Sequence, residues 1–516
     1  MRSRNRMLTN ATLTLSTLLP ALALGLACLA PAPSNTAANA PADAVLSSSP
    51  LASEAPADPA ALDPQATDSA LAEVRRLDRQ GRNAGGELAE LSPQEHMRRA
   101  AVYHGNRAFE EARAHWNALI ARNPRDANVP AALFGLGRSL YQERRYEEAL
   151  PFFERLGREF IDQKDGREGF YYVAATLLRL GRPADAAARY AEYAEKFPAG
   201  ERVEAAYLNA VDSWREAGRN AEAIDWVGRT RERFRGKVAD TNALFARLRL
   251  DVAASDWPSA LGAADELRTK SLPTNYQMNG PQTSQHEVAY LRAFSLEQSK
   301  QKEQAAAAYQ SIPDRASSYH GWLATERLRK LGDAAKRTAD ARTSSVRSEI
   351  SAAASQYPAP HREILLKAVR GKDVDPRFVL AIMRQESGFK AGARSPAGAR
   401  GLLQLTIDLA NKYAAKAGFN SVREDDLYRP EVNIPIGVEY LADLYGMFPG
   451  LYEAVAASYN GGEDNVVRWV RRAAHKDAGV FTSEIGFAES KDYAMKVLAN
   501  YRAYKALYTS DLKPQR

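Results

Sequence analysis

Between about residue 94 and residue 345 the apolar positions repeat in a fixed register. Ala112, Ala149, Ala186, Ala223 and Ala260 follow one another at intervals of 37 residues, inside the strings FEEARAHW, YEEALPFF, PADAAARY, NAEAIDWV and WPSALGAA. Four residues after the first three alanines stands an aromatic, Trp116, Phe153 and Tyr190, and twelve after two of them a proline, Pro124 and Pro198. The pattern predicts paired helices, with a small residue where two helices cross, a larger one beside it, and a degenerate sixth unit around Ala305. No such pair buries its own apolar face, so the pairs must stack into an α-superhelix, a curved wall.

A second pattern lies downstream. Asp375-Pro376 reads as a helix start, a side-chain acceptor for free N–H groups followed by a ring whose φ suits the first turn. Val379, Ile382 and Met383 then recur at helical spacing, and Glu386 falls on the same apolar face. Ser387-Gly388 ends the helix and leaves Glu386 in the last turn, among carbonyls with partial negative charge. Burial and dipole both raise its pKa, and a carboxyl that stays protonated near neutral pH is what a general acid requires. The sequence assigns it no carboxylate mate: Asp408, Asp425, Asp426 and Glu431 all follow in other stretches.

The surroundings of Glu386 carry a resemblance. Glu386-Ser387, Ala391, Ser395 and Gly401-Leu402-Leu403-Gln404-Leu405 come in order, followed by Ser458-Tyr459-Asn460-Gly461-Gly462 and by Phe487-Ala488-Glu489-Ser490 with Tyr493. In this order and spacing they resemble the motifs of the soluble, Slt-type lytic murein transglycosylases. The repeats are similar to the tetratricopeptide pattern, and 319–331, YHGWLATERLRKL, resembles the linker helices of the family's large members. The resemblance implies an all-α chain, a tetratricopeptide-like superhelix followed by a lysozyme-like catalytic domain. It implies cleavage of peptidoglycan glycan strands, with Glu386 as the one catalytic acid and a 1,6-anhydro-muramic acid product formed without water. Ser387, Ser395, Gln404, Tyr459, Asn460 and Glu489 are its implied substrate-binding residues, and no cofactor is implied. Two departures stand out: Thr406-Ile407 where relatives often have Met-Pro, and Gly461 for the usual alanine, a change expected to loosen the backbone.

Composition narrows the function classes. With 516 residues the chain exceeds one core, and a net charge of +7 suits an anionic polymer without the basic, aromatic-interleaved runs of a nucleic-acid binder. Nucleic acid is not an expected partner. Seven scattered histidines and one cysteine supply no metal-ligand spacing, so no metal is expected. Arg2, Arg4 and Arg6 before an apolar run read as a signal peptide over 1–30, which places the mature chain in the periplasm. Cys28, after Gly25-Leu26-Ala27, stands where a lipoprotein cysteine would, which makes outer-membrane attachment one expectation and ordinary cleavage near the following alanines the other. The Ala/Pro/Ser-rich segment 31–93 reads as a flexible tether and lead-in, 94–345 as the superhelix and 346–516 as the catalytic domain. On this division 346–516 should fold and cut short glycans alone, while the superhelix offers a basic, curved surface to the polymer. Two other functions fit the same residues, a hydrolytic lysozyme on this fold and a non-catalytic repeat scaffold.

Overall fold

The 37-residue register reappears in the backbone. A computed structural model describes residues 68–516 apart from 84, 476 and 516, and the expected signal segment and Cys28 lie outside the described residues. All five repeat alanines are fully buried, each in the second helix of a pair: Phe109–Arg122, Tyr146–Glu159, Pro183–Lys196, Asn220–Arg233 and Trp257–Leu267. The first helices are Pro93–Gly105, Val129–Gln142, Lys164–Arg179, Val203–Glu216 and Val238–Ala253. The sixth unit is Gln285–Gln298 with Lys302–Gln310, where Ala305 is buried, and Tyr319–Leu328 with Asp333–Ala352 leads into the catalytic part. Within the lead-in, Asp68–Gly81 forms a helix whose Leu71 and Val74 are buried.

The turn inside each pair needs one residue with positive φ, and the register supplies it at Arg107 (61°), Arg144 (64°), Gly181 (71°), Gly218 (72°) and Ser255 (57°). Glycine adopts this conformation freely, whereas an arginine does so at a cost that its surroundings must offset. Both arginines have such surroundings in the catalytic part. Arg107 Nε lies 2.8 Å from Asp408, and Arg144 lies 2.6 Å from Asp464 and 3.4 Å from Glu463.

Those contacts belong to a larger pattern, in which the first helix of each pair faces the catalytic part. Arg215 and Arg249 bond Glu484, Glu287 bonds Lys491, Tyr290 and Arg327 meet Asp477, and the Tyr319 hydroxyl donates to Glu453. The wall thus packs on the catalytic part, where its Arg107, Arg144, Arg215 and Arg249 are paired. One apolar core cluster runs from Leu244 to Leu512 across both parts. The division expected at 346 falls inside the helix Asp333–Ala352, where Val346 and Ile350 pack on Ala503 and Leu507. A fragment cut there would start mid-helix and separate Glu484, Lys491 and Asp477 from their superhelix partners.

At the centre of the catalytic part the helix Pro376–Ser387 packs against the long C-terminal helix Ala488–Leu507. Asp375 caps the former by accepting from the Arg377 N–H at 2.9 Å, and Gly388, with φ 54°, ends it. Among the described residues there is no strand, only isolated bridges such as Arg400 to Leu405, and no helix long and apolar enough to cross a membrane.

Candidate active site

Glu386 occupies the last turn of its helix and is 5% exposed, as the apolar spacing predicts. Burial pushes its carboxyl up to about 8; the nearby Glu489 adds to the rise, and a hydrogen bond from Tyr493 opposes it. That bond runs from the Tyr493 hydroxyl to Glu386 Oε1 at 2.6 Å. Glu386 is therefore a neutral acid near pH 7, with a phenol placed to stabilise the carboxylate it becomes after giving up its proton.

Glu489 and Asn460 join the same cluster. The Asn460 amide nitrogen donates to Glu489 Oε1 at 3.4 Å, while its oxygen accepts from the Ser490 hydroxyl at 2.6 Å. Burial pushes Glu489 up to about 7, with Asp492 adding to the rise and Asn460 lowering it. Gly461 does not loosen this corner. A Cβ there would stand 2.5 Å from the Ser490 hydroxyl, so the missing methyl is what lets the two helices approach.

Tyr459 is buried beside Glu386, but its hydroxyl donates to Leu403 O at 2.7 Å and so secures the loop that carries Gln404. Gln404, with φ 46°, lies 5% exposed and its amide nitrogen donates to Gly401 O and Ala393 O. The run 401–405 is a turn and not the opening of a helix, which begins at Ile407. The two serines serve the backbone. Ser387 donates to Leu402 O at 2.8 Å and accepts from the Phe389 N–H, and Ser395 accepts from the Ala399 N–H at 3.0 Å. Their hydroxyls shape the loop.

Two contributors escaped the sequence reading. Tyr493 marked a motif but had no assigned contact; its i+4 spacing from Glu489 is the signal that places both on one face. Asn433, fully buried in the helix Pro430–Met447, accepts from the Leu403 N–H and donates to Arg400 O and Leu427 O. A lone amide in the apolar run PEVNIPIGVEYL is its trace. Tyr493→Phe is expected to move the alkaline limb of the activity profile up by about one pH unit, because a charge-assisted hydrogen bond to the ionised acid is lost. A pH–rate series checks this. Among the described residues no group of three or more His, Cys, Asp or Glu side chains is placed to hold a metal ion.

Comparison with known proteins adds identity to this geometry. Residues 363–481 match the family model of the transglycosylase SLT domain, and 99–162 match that of the tetratricopeptide repeat. The chain is 34% identical over 151 residues to the soluble lytic murein transglycosylase of Salmonella typhimurium, covering 29% of this chain and 23% of that protein. It is 32% identical over 160 residues to the Escherichia coli K12 protein of the same description, covering 30% and 24%. With the membrane-bound lytic murein transglycosylase C of Yersinia pestis it shares 30% over 165 residues, covering 27% and 46%. The chain thus spans about a quarter of the length of the soluble relatives it matches. The solved structure of the lytic transglycosylase Slt from Pseudomonas aeruginosa aligns with a TM-score of 0.46 at 18% identity, over 84% of this chain and 85% of that one. Residues 363–481 are accordingly similar to a transglycosylase SLT domain, in a chain whose residues 99–162 match the tetratricopeptide repeat.

Proposed function

We propose that the chain cleaves the β-1,4 bond between N-acetylmuramic acid and N-acetylglucosamine in peptidoglycan and leaves 1,6-anhydro-muramic acid ends. The carrying observation is the buried Glu386, its carboxyl pushed up to about 8, with the Tyr493 hydroxyl on its oxygen. Glu386 gives its proton to the glycosidic oxygen as the C1–O bond breaks. The substrate's own acetamido oxygen stabilises the sugar cation at C1. The Glu386 carboxylate, held by the Tyr493 hydroxyl, then takes the proton of the C6 hydroxyl while O6 bonds C1. Gln404, Asn460 and Glu489 are the residues proposed to hold the sugars.

Hydrolysis by a second carboxylate is the competing reading, and Glu489 is what favours it, since it lies close enough to raise Glu386. Against it stands the hydrogen bond from Asn460, which occupies one Glu489 oxygen and ties the carboxyl to the neighbouring helix. An internal hydroxyl also has a high effective concentration relative to water. Digestion of purified peptidoglycan with mass spectrometry of the products is expected to give ends one water lighter than reducing muramic acid. Reducing ends alone would make the chain a hydrolase, and no cleavage at all a scaffold.

The place of action proposed is the periplasm, supported by the Arg-led apolar start and by relatives named as murein enzymes, with lipid attachment at Cys28 as the finer proposal. Fractionation of wild type and Cys28→Ala separates a lipid-anchored from a free form.

A further inference from the structure

We infer that the helix Asp68–Gly81 is a strut that holds the loop 393–406 against the active site, and that Asp68 is a positioning residue for the proposed reaction. The helix is pinned to the first repeat at its far end. Asp78, 6% exposed, accepts from Arg99 and from the Tyr103 hydroxyl, each at 2.5 Å, and lies 3.0 Å from His115 Nε2. Midway, Arg75 reaches Glu111 at 3.6 Å on the repeat side and Glu424 at 3.4 Å on the catalytic side.

The near end bears on the loop. The Asp68 carboxylate accepts from Arg400, from Arg394 Nε at 3.2 Å and from the Tyr428 hydroxyl at 2.9 Å. Burial alone would raise Asp68, but its bonds and charge contacts with Arg400, Tyr428 and Arg394 hold it below the usual carboxylate range, so it stands there as an anion. Arg400 is 1% exposed, and Asp68 is the acidic partner of both loop arginines. The first repeat brackets the same loop, with the Asn106 oxygen accepting from Arg394 and Arg107 paired with Asp408.

The consequence for the site follows from the backbone. Arg400 and Leu405 exchange both N–H···O bonds at 3.0 Å, so a shift of Arg400 carries Gln404 between them and Leu403, whose carbonyl takes the Tyr459 hydroxyl. Gln404 sits at φ 46°, a conformation that persists only while its neighbours impose it. Glu386 and Tyr493 stand on two other helices, and their own hydrogen bond lies outside this tie. Loss of the strut should therefore weaken sugar binding and spare proton transfer.

The test is Asp68→Asn in the full chain. Amide hydrogen exchange in 393–406 should quicken about tenfold while 376–388 and 488–507 stay protected. On soluble peptidoglycan strands, an arm that rests on the function proposed above, KM should rise about tenfold with kcat nearly constant. Unchanged exchange in 393–406, or a uniform loss of protection across the chain, overturns the strut. A loosened loop with unchanged KM overturns the positioning role. If wild type cuts no peptidoglycan, the functional reading fails while the exchange result still decides the strut.

Discussion

Glu386→Gln is expected to abolish cleavage while keeping the fold, with turnover lower by about 10² to 10⁴ because an amide cannot supply the proton. The substitution is nearly isosteric, and glutamine can still accept the Tyr493 hydrogen bond, so the site keeps its shape. It should also stabilise the protein, and the sign follows from linkage. The carboxyl is held up to about 8 in the folded chain, against about 4.3 for a free glutamate. Below that lower value both states keep the proton and burial carries no ionisation penalty. Between the two values the unfolded chain releases its proton and the native site retains it, so stability falls as pH rises. Glutamine removes that term. Wild type and variant should melt together near pH 4, and the variant should melt higher by about 5 °C at pH 8. Thermal melts over this range, beside product assays, check both halves. Turnover near that of wild type in a folded variant would remove Glu386 from the mechanism.

That site was legible in the sequence where chemistry and period coincide. Asp375-Pro376, the apolar spacing to Met383 and the stop at Ser387-Gly388 fix both the helix and the inward direction of Glu386. The repeat was legible for a similar reason: an alanine wholly buried at a helix crossing recurs because a larger side chain there would hold the helices apart. What stayed hidden depends on how distant elements meet. Which oxygen the Tyr493 hydroxyl finds is set by the crossing of two helices 107 residues apart in the chain. The hydroxyls of Ser387 and Ser395 turn to backbone because the loop must satisfy its own carbonyls and N–H groups inside the protein, a need that no motif records. Gly461 looked like a loosened alanine because the Ser490 hydroxyl that fills its space lies in another helix. The partners of Arg107, Arg144, Arg215 and Arg249 stayed hidden for the same reason, since a charge paired across hundreds of residues leaves no period.

Glu484→Gln tests how tightly those pairs join the two parts, and it is expected to lower the folding free energy by about 3 to 5 kcal/mol. Glu484 is 1% exposed at the end of the short helix Ala478–Glu484. Its oxygens lie 2.6 Å from Arg215 and 3.3 Å from Arg249, both on superhelix helices, and 3.4 Å from Arg472 of the catalytic part. Asp212 shares the three guanidinium groups at 3.4 to 3.9 Å, and Glu216 stands 3.3 Å from Arg468. Four arginines thus face three carboxylates, and removing one leaves buried positive charge without its counter-ion, the costly case for an ion pair. Burial acts to raise the Glu484 carboxyl, but the three arginines outweigh it and hold the group below the usual range. A depressed folded pKa means that the stability is present above about pH 4.3 and is lost as pH falls through the folded value, so the gap between variant and wild type should narrow in acid. Because Glu484 binds helices from both parts, the superhelix and the catalytic part should lose stability together in a single urea transition. Glu73→Gln, which removes the exposed partner of Arg76, should leave the midpoint where it is. If Glu484→Gln shifts the midpoint no more than that control, the seam holds by apolar packing and its charges are passengers.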